Sequence, residues 1–238
     1  MTDISKAPDR IAGMFDAIAA RYDFLNHFLS AGIDRRWRKR AVRSLGLTGR
    51  ERVLDLCTGT ADLAIAAAAA APGARVVGVD FAGAMLRVGI DKLRPRGLMS
   101  RIALLRGDAT RIPLADASVD AVTIGFGIRN VEDMDAAACE MHRVLAPNGR
   151  LAILEFAVPT LPLLSGVYRW YLNRVLPRIG RAISHHNAAY GYLPESIGAF
   201  ASPDEFMTIL RNAGFADVGA VPLTFGTVLL YTARKTSR

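Results

Sequence analysis

The sequence is poor in the residues that bind transition metals and form disulfide bonds. Its 238 residues include two cysteines and four histidines. Cys57 and Cys139 form no zinc-type cluster with the histidines, so we predict no metal site and two reduced thiols. The opening residues, MTDISKAPDR, also lack the apolar core of a signal peptide. This lack predicts a cytoplasmic protein.

Long apolar runs are missing as well. The alanine run Ala66–Ala71 is too short to span a bilayer and is typical of a helix interior. Hydrophobic residues nevertheless make up 51% of the chain. That content and the length predict one α/β domain with a substantial core over residues 1–238.

Acidic residues are fewer than lysines and arginines, and the formal net charge is therefore +8. One basic cluster lies in Asp34–Arg43, and residues 160–186 contain no acidic residue at all. Such clusters attract anionic membrane surfaces and nucleic acids alike. A protein that binds RNA or another nucleic acid therefore stays open on charge alone. The basic residues of the second segment are Arg169, Arg174, Arg178 and Arg181.

The stretch RVLDLCTGTADLAI organises the rest of the chain. It predicts a buried strand over Val53–Leu56, a tight turn over Thr58–Thr60 and a helix from Asp62. Open α/β sheets bind nucleotides beside such a turn, at the carboxyl end of the strand. Gly59 would let the backbone approach a ligand closely, while two neighbours would offer side-chain oxygens. These two are Asp55 and Thr60.

Carboxylates also end the next two predicted strands. The strand Arg75–Asp80 ends 25 residues after Asp55, and such an acid can accept two hydrogen bonds from a ribose diol. The strand Ile102–Asp108 ends in a carboxylate that would accept from an adenine amino group. The N–H of Ala109, which follows, would donate to the same ring.

A pyrophosphate cradle is absent from this pattern. Where the dinucleotide fingerprint G-x-G-x-x-G needs three glycines, this turn has Gly59 alone, between Cys57 and Ala61. S-adenosylmethionine (SAM) carries a ribose and an adenine but no phosphate, and it needs one close backbone approach. The three strand ends therefore predict a SAM-dependent methyltransferase and argue against NAD.

Helical patterns precede the first strand. Apolar residues recur at helical spacing over Ile11–Leu29, and Asp34 is predicted to cap a second helix that carries the arginine cluster. We predict that residues 1–50 form a helical cap over the ligand site, in front of a SAM-binding core at residues 51–158.

Beyond the third strand the chain continues to alternate. AVTIGFG predicts a fourth strand, the helix Met134–Leu145 ends before Pro147-Asn-Gly, and Arg150–Phe156 predicts a fifth strand. An aromatic and basic insert follows at residues 159–201. Residues 202–238 predict a helix capped at Ser202 and then an antiparallel hairpin, with strands Asp217–Thr224 and Thr227–Ala233 joined at Gly226.

Several long blocks resemble the ubiquinone/menaquinone biosynthesis C-methyltransferases (UbiE/MenG). They are LDLCTGTAD, GVDFAGAML, GDATRIPLADASVDAVTIGFGIRNVED, RVLAPNGRLAILEF and YRWYLNRVLPRIGRAISHHNAAYGYLPESIGAF, together with Tyr22, Asp23, Asn26, Ser30 and Trp37. The resemblance covers nearly the whole chain, and GFGIRN and AYGYLPESI are its most specific parts. It implies a Rossmann-like class I SAM-dependent methyltransferase with a seven-stranded, mostly parallel sheet and an antiparallel C-terminal hairpin.

The resemblance also implies roles for single residues. Thr60, Asp80, Asp108 and Ala109 match cofactor-contacting positions, while Arg129 and Asn130 match the substrate-side signature. Tyr22 and Asp23 match the N-terminal cap and would assist catalysis. Loss of a phenolic proton raises electron density at the ring carbon, so Arg129 would hold the phenolate or position a water. The alternative role for Arg129 is a structural partner of Glu132 or Asp133.

The implied substrate is a polyprenylated hydroquinone, with demethylmenaquinol first and 2-methoxy-6-polyprenyl-1,4-benzoquinol as the alternative. A lipid substrate implies peripheral contact of the insert with the inner face of the cytoplasmic membrane, at anionic lipid. We expect no nucleic-acid partner, because GFGIRN stands where a base methyltransferase has an Asn-Pro-Pro-Tyr-like motif. An RNA-binding or RNA-modifying methyltransferase and a SAM-binding protein without catalysis stay open as alternatives. The oligomeric state also stays open, with a homodimer as one option.

Overall fold

Two helices precede the sheet in the computed structural model, which describes residues 8–30, 32–159, 165, 166, 168, 170, 174 and 187–237. Helix α1 spans Pro8–Leu29 and α2 spans Asp34–Ser44, where helices were predicted. The predicted cap was wrong: Ile33 is the N-cap residue, and no side chain caps α2. The carboxylate of Asp34 instead accepts hydrogen bonds from Ser30 and Arg38.

Seven strands form one sheet in the order β3-β2-β1-β4-β5-β7-β6. The pairs among β1 to β5 are parallel, whereas β7 is antiparallel to both β5 and β6. This arrangement confirms the predicted fold class. The strands are β1 (Arg52–Leu56), β2 (Arg75–Asp80), β3 (Ile102–Arg106), β4 (Val119–Gly125), β5 (Leu145–Phe156), β6 (Phe215–Leu223) and β7 (Val228–Lys235).

Helices alternate with these strands. They are α3 (Asp62–Ala70), α4 (Gly83–Leu93), α5 (Met134–Val144), α6 (Asn187–Ala199) and α7 (Pro203–Asn212). The predicted start of α7 is confirmed, since Ser202 and Glu205 form a capping box. No helix within the described residues combines the length and apolar content needed to cross a bilayer.

Several predicted strand boundaries shift. Strand β3 ends at Arg106, so Asp108 follows the strand in a turn, and β4 begins and ends two residues before AVTIGFG. The predicted break before Arg150 is a bulge inside β5. Leu145 pairs with Val119 and Arg150 with Ala121, so the residues between them leave the ladder while the strand continues.

Two apolar layers cover the sheet. Successive strand residues point to opposite faces, so Leu54 joins a cluster with Met141 of α5, while Val53 joins one with Ala64 of α3. The small side chains of α3 let it approach the strands closely. Since both faces are covered, the central strands are nearly continuous apolar runs, as parallel sheets require.

The carboxyl ends of the parallel strands meet at one edge of the sheet. The antiparallel pairing of Phe156 with Val228 brings the β6–β7 hairpin tip, residues 224–226, to that same edge. The predicted C-terminal hairpin is confirmed. We call this edge the carboxyl edge.

Candidate functional site

A cavity of about 800 Å³ opens at the carboxyl edge. Its size falls within the range of roughly 300 to 1,000 Å³ that is usual for small-molecule sites. One side, which we call the β1–β3 wall, follows strands β1 to β3. The other side, the β4–β5 wall, follows β4 and is supported by β5. The cavity-lining residues discussed below are Gly59, Asp80, Asp108, Ala109, Phe126 and Asn130.

The turn after β1 has an unusual backbone. Cys57, Gly59 and Ala61 all have positive φ, at 53°, 54° and 66°, and two of them are not glycine. Such conformations cost free energy and persist when neighbouring contacts fix them. A Cβ atom added at position 127 would lie 2.3 Å from the Cβ of Cys57, which is too close. The turns after β1 and β4 therefore fit together only with glycine at position 127.

Asp55 holds this turn from beneath. Its buried carboxylate accepts hydrogen bonds from the Thr58 hydroxyl at 2.6 Å, the Thr123 hydroxyl at 2.8 Å and the Ala64 N–H at 3.1 Å. Burial raises the pKa of Asp55 to about 6, although these hydrogen bonds oppose the shift. Asp55 is not among the cavity-lining residues. Its contacts support the turn, and its contact with the cofactor stays a prediction.

Asp80 joins the turn to the cavity. Its Oδ2 accepts the Gly59 N–H at 2.8 Å and its Oδ1 accepts the Ala82 N–H at 2.9 Å. Burial raises the pKa of this carboxyl, and the backbone hydrogen bonds oppose the rise. A carboxylate has about four acceptor sites, so both oxygens can still accept from a ribose diol. The Gly59 N–H, in contrast, is already used within the protein.

Asp108 and Ala109 continue the β1–β3 wall. Thr110 donates twice to Oδ1 of Asp108, from its N–H at 2.8 Å and from its hydroxyl at 2.9 Å. No residue in the described part of the chain donates to Oδ2. An adenine amino group fits that oxygen, so the donor and acceptor set of this wall suits the nucleoside of SAM.

Thr60 and Asp23 lie together, away from the cavity lining. The Thr60 hydroxyl donates to Asp23, and Lys92 of α4 donates to Thr60 at 3.1 Å and to Asp23 at 2.6 Å. Lys92 also pairs with Asp62 at the start of α3. We call these four side chains the Lys92 latch, because they join α1 to the turn after β1. The cofactor role of Thr60 and the catalytic role of Asp23 stay predictions, and the side chain of Tyr22 lies outside the described residues.

Arg129 forms a buried ion pair behind the β4–β5 wall. Its guanidinium donates to Glu155 at 2.8 Å, to the Phe126 carbonyl and, at 3.3 Å, to the Ser196 hydroxyl of α6. It also lies over the ring of Phe156, 5.5 Å from the centroid. The alternative pairing with Glu132 or Asp133 was wrong, because Glu155 is the partner. An acidic residue near the end of the apolar strand RLAILEF was the sequence signal for it.

Two buried polar atoms near this pair have no hydrogen-bond partner among the residues that the structure describes. Asn130 lines the cavity, and its Oδ1 accepts no hydrogen bond in the described structure. The hydroxyl of Tyr192, on α6, is equally unpaired. Burial raises the pKa of Tyr192, while the charge of Arg129 opposes the rise. Most buried polar groups find partners, so an unpaired acceptor in a cavity wall suggests a ligand that donates.

The model of the ubiE/COQ5 methyltransferase family matches residues 2–235. The chain belongs to this family. A ubiquinone/menaquinone biosynthesis C-methyltransferase UbiE from Syntrophotalea carbinolica is 52% identical over 92% of this chain and 91% of its own length. A demethylmenaquinone methyltransferase from Thermus thermophilus is 47% identical, over 92% of this chain and 98% of its own.

The solved structure of a SAM-dependent methyltransferase from Aquifex aeolicus has the same fold. Its TM-score is 0.62 at 21% identity, with 83% of this chain and 88% of that chain covered. Membership of the ubiE/COQ5 family confirms the predicted family, the methyltransferase activity and SAM as the cofactor, and the solved structure confirms the fold. The assignment of individual site residues stays a prediction.

Proposed function

We propose that this ubiE/COQ5 family member methylates a ring carbon of a polyprenylated hydroquinone, with demethylmenaquinol as the leading substrate. The unpaired Asn130 Oδ1 in the β4–β5 wall is the observation that carries the proposal. It is an acceptor and needs a donor. A quinol has O–H groups to donate, whereas an oxidised quinone has only carbonyl acceptors.

The names of the relatives support the same substrate class. The Thermus thermophilus relative is a demethylmenaquinone methyltransferase, and the Syntrophotalea carbinolica relative is named for ubiquinone and menaquinone together. The alternative substrate is therefore 2-methoxy-6-polyprenyl-1,4-benzoquinol, or both rings.

In this proposal the two walls have separate tasks. SAM, when bound, supplies an electrophilic methyl group, and Asp80 and Asp108 hold its ribose and adenine. The ring carbon gains the methyl group and loses its proton. Asn130 orients the quinol hydroxyl by accepting its hydrogen bond, and it leaves the proton to solvent because an amide is not basic. Tyr192 would assist from α6.

Arg129 takes a role beside Asn130. Glu155 balances the charge of Arg129 at an N–O distance of 2.8 Å, so Arg129 is not an unpaired cation. We propose that the pair fixes the turn that carries Asn130, while direct contact of Arg129 with a phenolate stays a prediction. Asp23, in the Lys92 latch, would hold α1 closed over the cofactor.

The location of the protein in the cell is also a proposal. A polyprenyl tail is stabilised in a bilayer by about 0.8 kcal/mol per CH₂, so the ring must reach the cavity while the tail stays in lipid. We therefore propose a cytoplasmic protein that binds the inner face of the cytoplasmic membrane peripherally. The predicted contact, the insert at residues 159–201, lies mostly outside the described residues.

The decisive experiment uses two short-tailed substrates. Each quinol, kept reduced, is incubated with the protein and methyl-labelled SAM, and the product is analysed for a label on a ring carbon. We expect demethylmenaquinol to be methylated, with the benzoquinol slower or comparable. SAM binding without methylation of either ring would favour a protein without this catalysis. Labelling of added RNA instead would favour the RNA alternative.

A further inference from the structure

Helix α2 presents a face of exposed cations. Its single acidic residue, Asp34, is buried and paired with Arg38. The exposed charged positions are all basic and fall on the side of the helix opposite to the buried Trp37, Ala41 and Val42. They are Arg35, Arg36, Lys39, Arg40 and Arg43.

The β6–β7 hairpin tip, in contrast to the basic face of α2, is apolar and uncharged. Phe225 is 80% exposed and has a φ of 57°, a conformation that costs a large side chain free energy. Val221 and Pro222 of the edge strand β6 are exposed too, and residues 218–227 carry no charge. Charges or proline usually protect natural edge strands from pairing. Pro222 can serve that role here, but it does not explain the exposed ring of Phe225.

The basic face and the apolar tip are joined. Trp37, in the first turn of α2, donates its indole N–H to the Thr224 hydroxyl at 2.8 Å. At the other end of α2, Arg150 donates to the Gly46 carbonyl at 3.1 Å. Helix α2 therefore runs antiparallel to β5, and its first turn lies at the carboxyl edge beside Phe225.

Aromatic rings connect this place with the cavity. The centroid of Trp37 is 6.4 Å from that of Phe156, which stacks on Phe126 at 4.5 Å. Phe126 lines the cavity. A surface that binds at the hairpin tip would thus lie at the carboxyl edge where the cavity opens.

We propose that Arg35, Arg36 and Phe225 form a docking surface for an anionic lipid bilayer, which we call the tip surface. The arginines meet phosphate headgroups, and Phe225 enters the interfacial layer where aromatic side chains are stabilised. This inference rests on the proposed function in one respect, the lipid nature of the substrate. A bilayer offers partners both for the arginines and for the exposed apolar residues of the tip. An RNA backbone would leave Val221 and Pro222 without an apolar partner.

The test is co-sedimentation of the full chain with phosphatidylcholine vesicles that contain phosphatidylglycerol or lack it. We expect binding to the anionic vesicles at low salt. Arg35→Glu with Arg36→Glu should weaken it by more than about twentyfold, since each cation near a lipid surface contributes about fivefold. Phe225→Asn should weaken it roughly tenfold, and asparagine tolerates the left-handed backbone, so the hairpin keeps its shape.

A matched control changes the same charge elsewhere. Arg50→Glu with Arg75→Glu alters two exposed arginines that precede or begin strands β1 and β2, at the opposite edge of the sheet. The control pair should lose clearly less binding than the tip variants. Equal losses would show that net charge alone governs binding and would overturn the tip surface.

Two further outcomes would also overturn it. One is loss of binding in Arg174→Glu, Arg178→Glu and Arg181→Glu combined, with the tip variants unaffected, since the insert would then be the membrane contact. The other is a parent protein that ignores vesicles but binds RNA through Arg35 and Arg36. Turnover of a water-soluble short-tailed quinol is measured in parallel. It should be unchanged in the tip variants, and its absence in the parent would contradict the proposed function without bearing on the vesicle result.

Discussion

The two walls of the cavity are built on different principles. In the β1–β3 wall, Asp80 and Asp108 receive their hydrogen bonds from the backbone and hydroxyl groups of adjoining turns. In the β4–β5 wall, Arg129 and Glu155 form a buried ion pair between segments 26 residues apart, and the Asn130 Oδ1 has no partner among the described residues. Donors from turns at the strand ends therefore fix the carboxylates of the first wall, whereas a buried side-chain ion pair supports the second. The first wall is suited to a cofactor held in one position. The second wall is suited to a methyl-accepting substrate that donates a hydrogen bond to Asn130.

The largest expected effect concerns the buried pair. Glu155→Gln removes one charge and leaves the Arg129 cation uncompensated in the interior. Breaking such a pair costs about 3 to 5 kcal/mol, so the free energy of unfolding in denaturant should fall by that amount.

The exposed pair of Arg52 and Asp120 is the matched control for Glu155→Gln. Its N–O distance is 3.5 Å and both side chains reach solvent. Asp120→Asn should therefore change the free energy of unfolding by no more than about 1 kcal/mol. If Glu155→Gln cost no more than Asp120→Asn, the β4–β5 wall would not depend on its ion pair.

The next effect tests the support beneath the β1–β3 wall. Because burial raises the pKa of Asp55 to about 6, the folded protein binds this proton more tightly than the unfolded chain, whose pKa is near 3.8. The stabilisation is complete below the unfolded pKa and is lost as pH rises through 6. Two pKa units correspond to about 3 kcal/mol.

The difference between parent and Asp55→Asn isolates this contribution. Other groups act in the opposite direction: burial alone would raise the pKa of Glu51, but hydrogen bonds from Thr48, Gly49 and its own backbone lower it to about 2. Unfolding free energies of both proteins are therefore measured from pH 3 to pH 7. The difference curve should change between pH 4 and pH 6 and be flat elsewhere. A curve that is flat throughout would mean that Asp55 titrates normally.

The smallest effect concerns the Lys92 latch. Lys92→Met removes a hydrogen bond to the buried Thr60 and two ion pairs with Asp23 and Asp62. Because both ion pairs are partly exposed, stability should fall by only about 1 kcal/mol after solvent screening. Hydrogen exchange in α1, however, should accelerate clearly more than in the rest of the protein.

Arg94→Met is the matched control for the latch. Arg94 pairs with Asp91 at 3.4 Å, and both side chains are well exposed. This variant should leave exchange in α1 unchanged. Similar exchange in α1 for both variants would show that the latch does not hold the N-terminal cap on the core.

The carboxylates of the β1–β3 wall could be predicted from the sequence because they lie at or just after strand ends. A parallel strand that ends in aspartate places its carboxylate at the carboxyl edge, and β2 spans the predicted Arg75–Asp80. The left-handed backbone of Cys57 and Ala61 could not be foreseen, since neither residue favours it. It results from contacts made by Asp55 across the sheet.

The β4–β5 wall was only partly predictable. The signature containing Arg129 and Asn130 marked its location, but no spacing rule joins Arg129 to Glu155 or places Tyr192 nearby. The Lys92 latch escaped prediction for the same reason, because its members belong to α1, α3, α4 and the turn between β1 and α3. Asp34 failed as a cap because Arg38, one helical turn later, binds its carboxylate.

The central claim is that the β1–β3 wall binds SAM and the β4–β5 wall binds the methyl acceptor. It is tested most directly by calorimetric SAM titration of two folded variants, Asp80→Ala and Asn130→Ala. Hydrogen bonds to charged groups contribute about 1.5 to 3 kcal/mol, so Asp80→Ala should weaken SAM binding by roughly tenfold to over a hundredfold. Asn130→Ala should bind SAM as the parent does while losing quinol methylation. Unchanged SAM affinity in Asp80→Ala, or an equal loss of affinity in both variants, would contradict the assignment of cofactor and acceptor to separate walls.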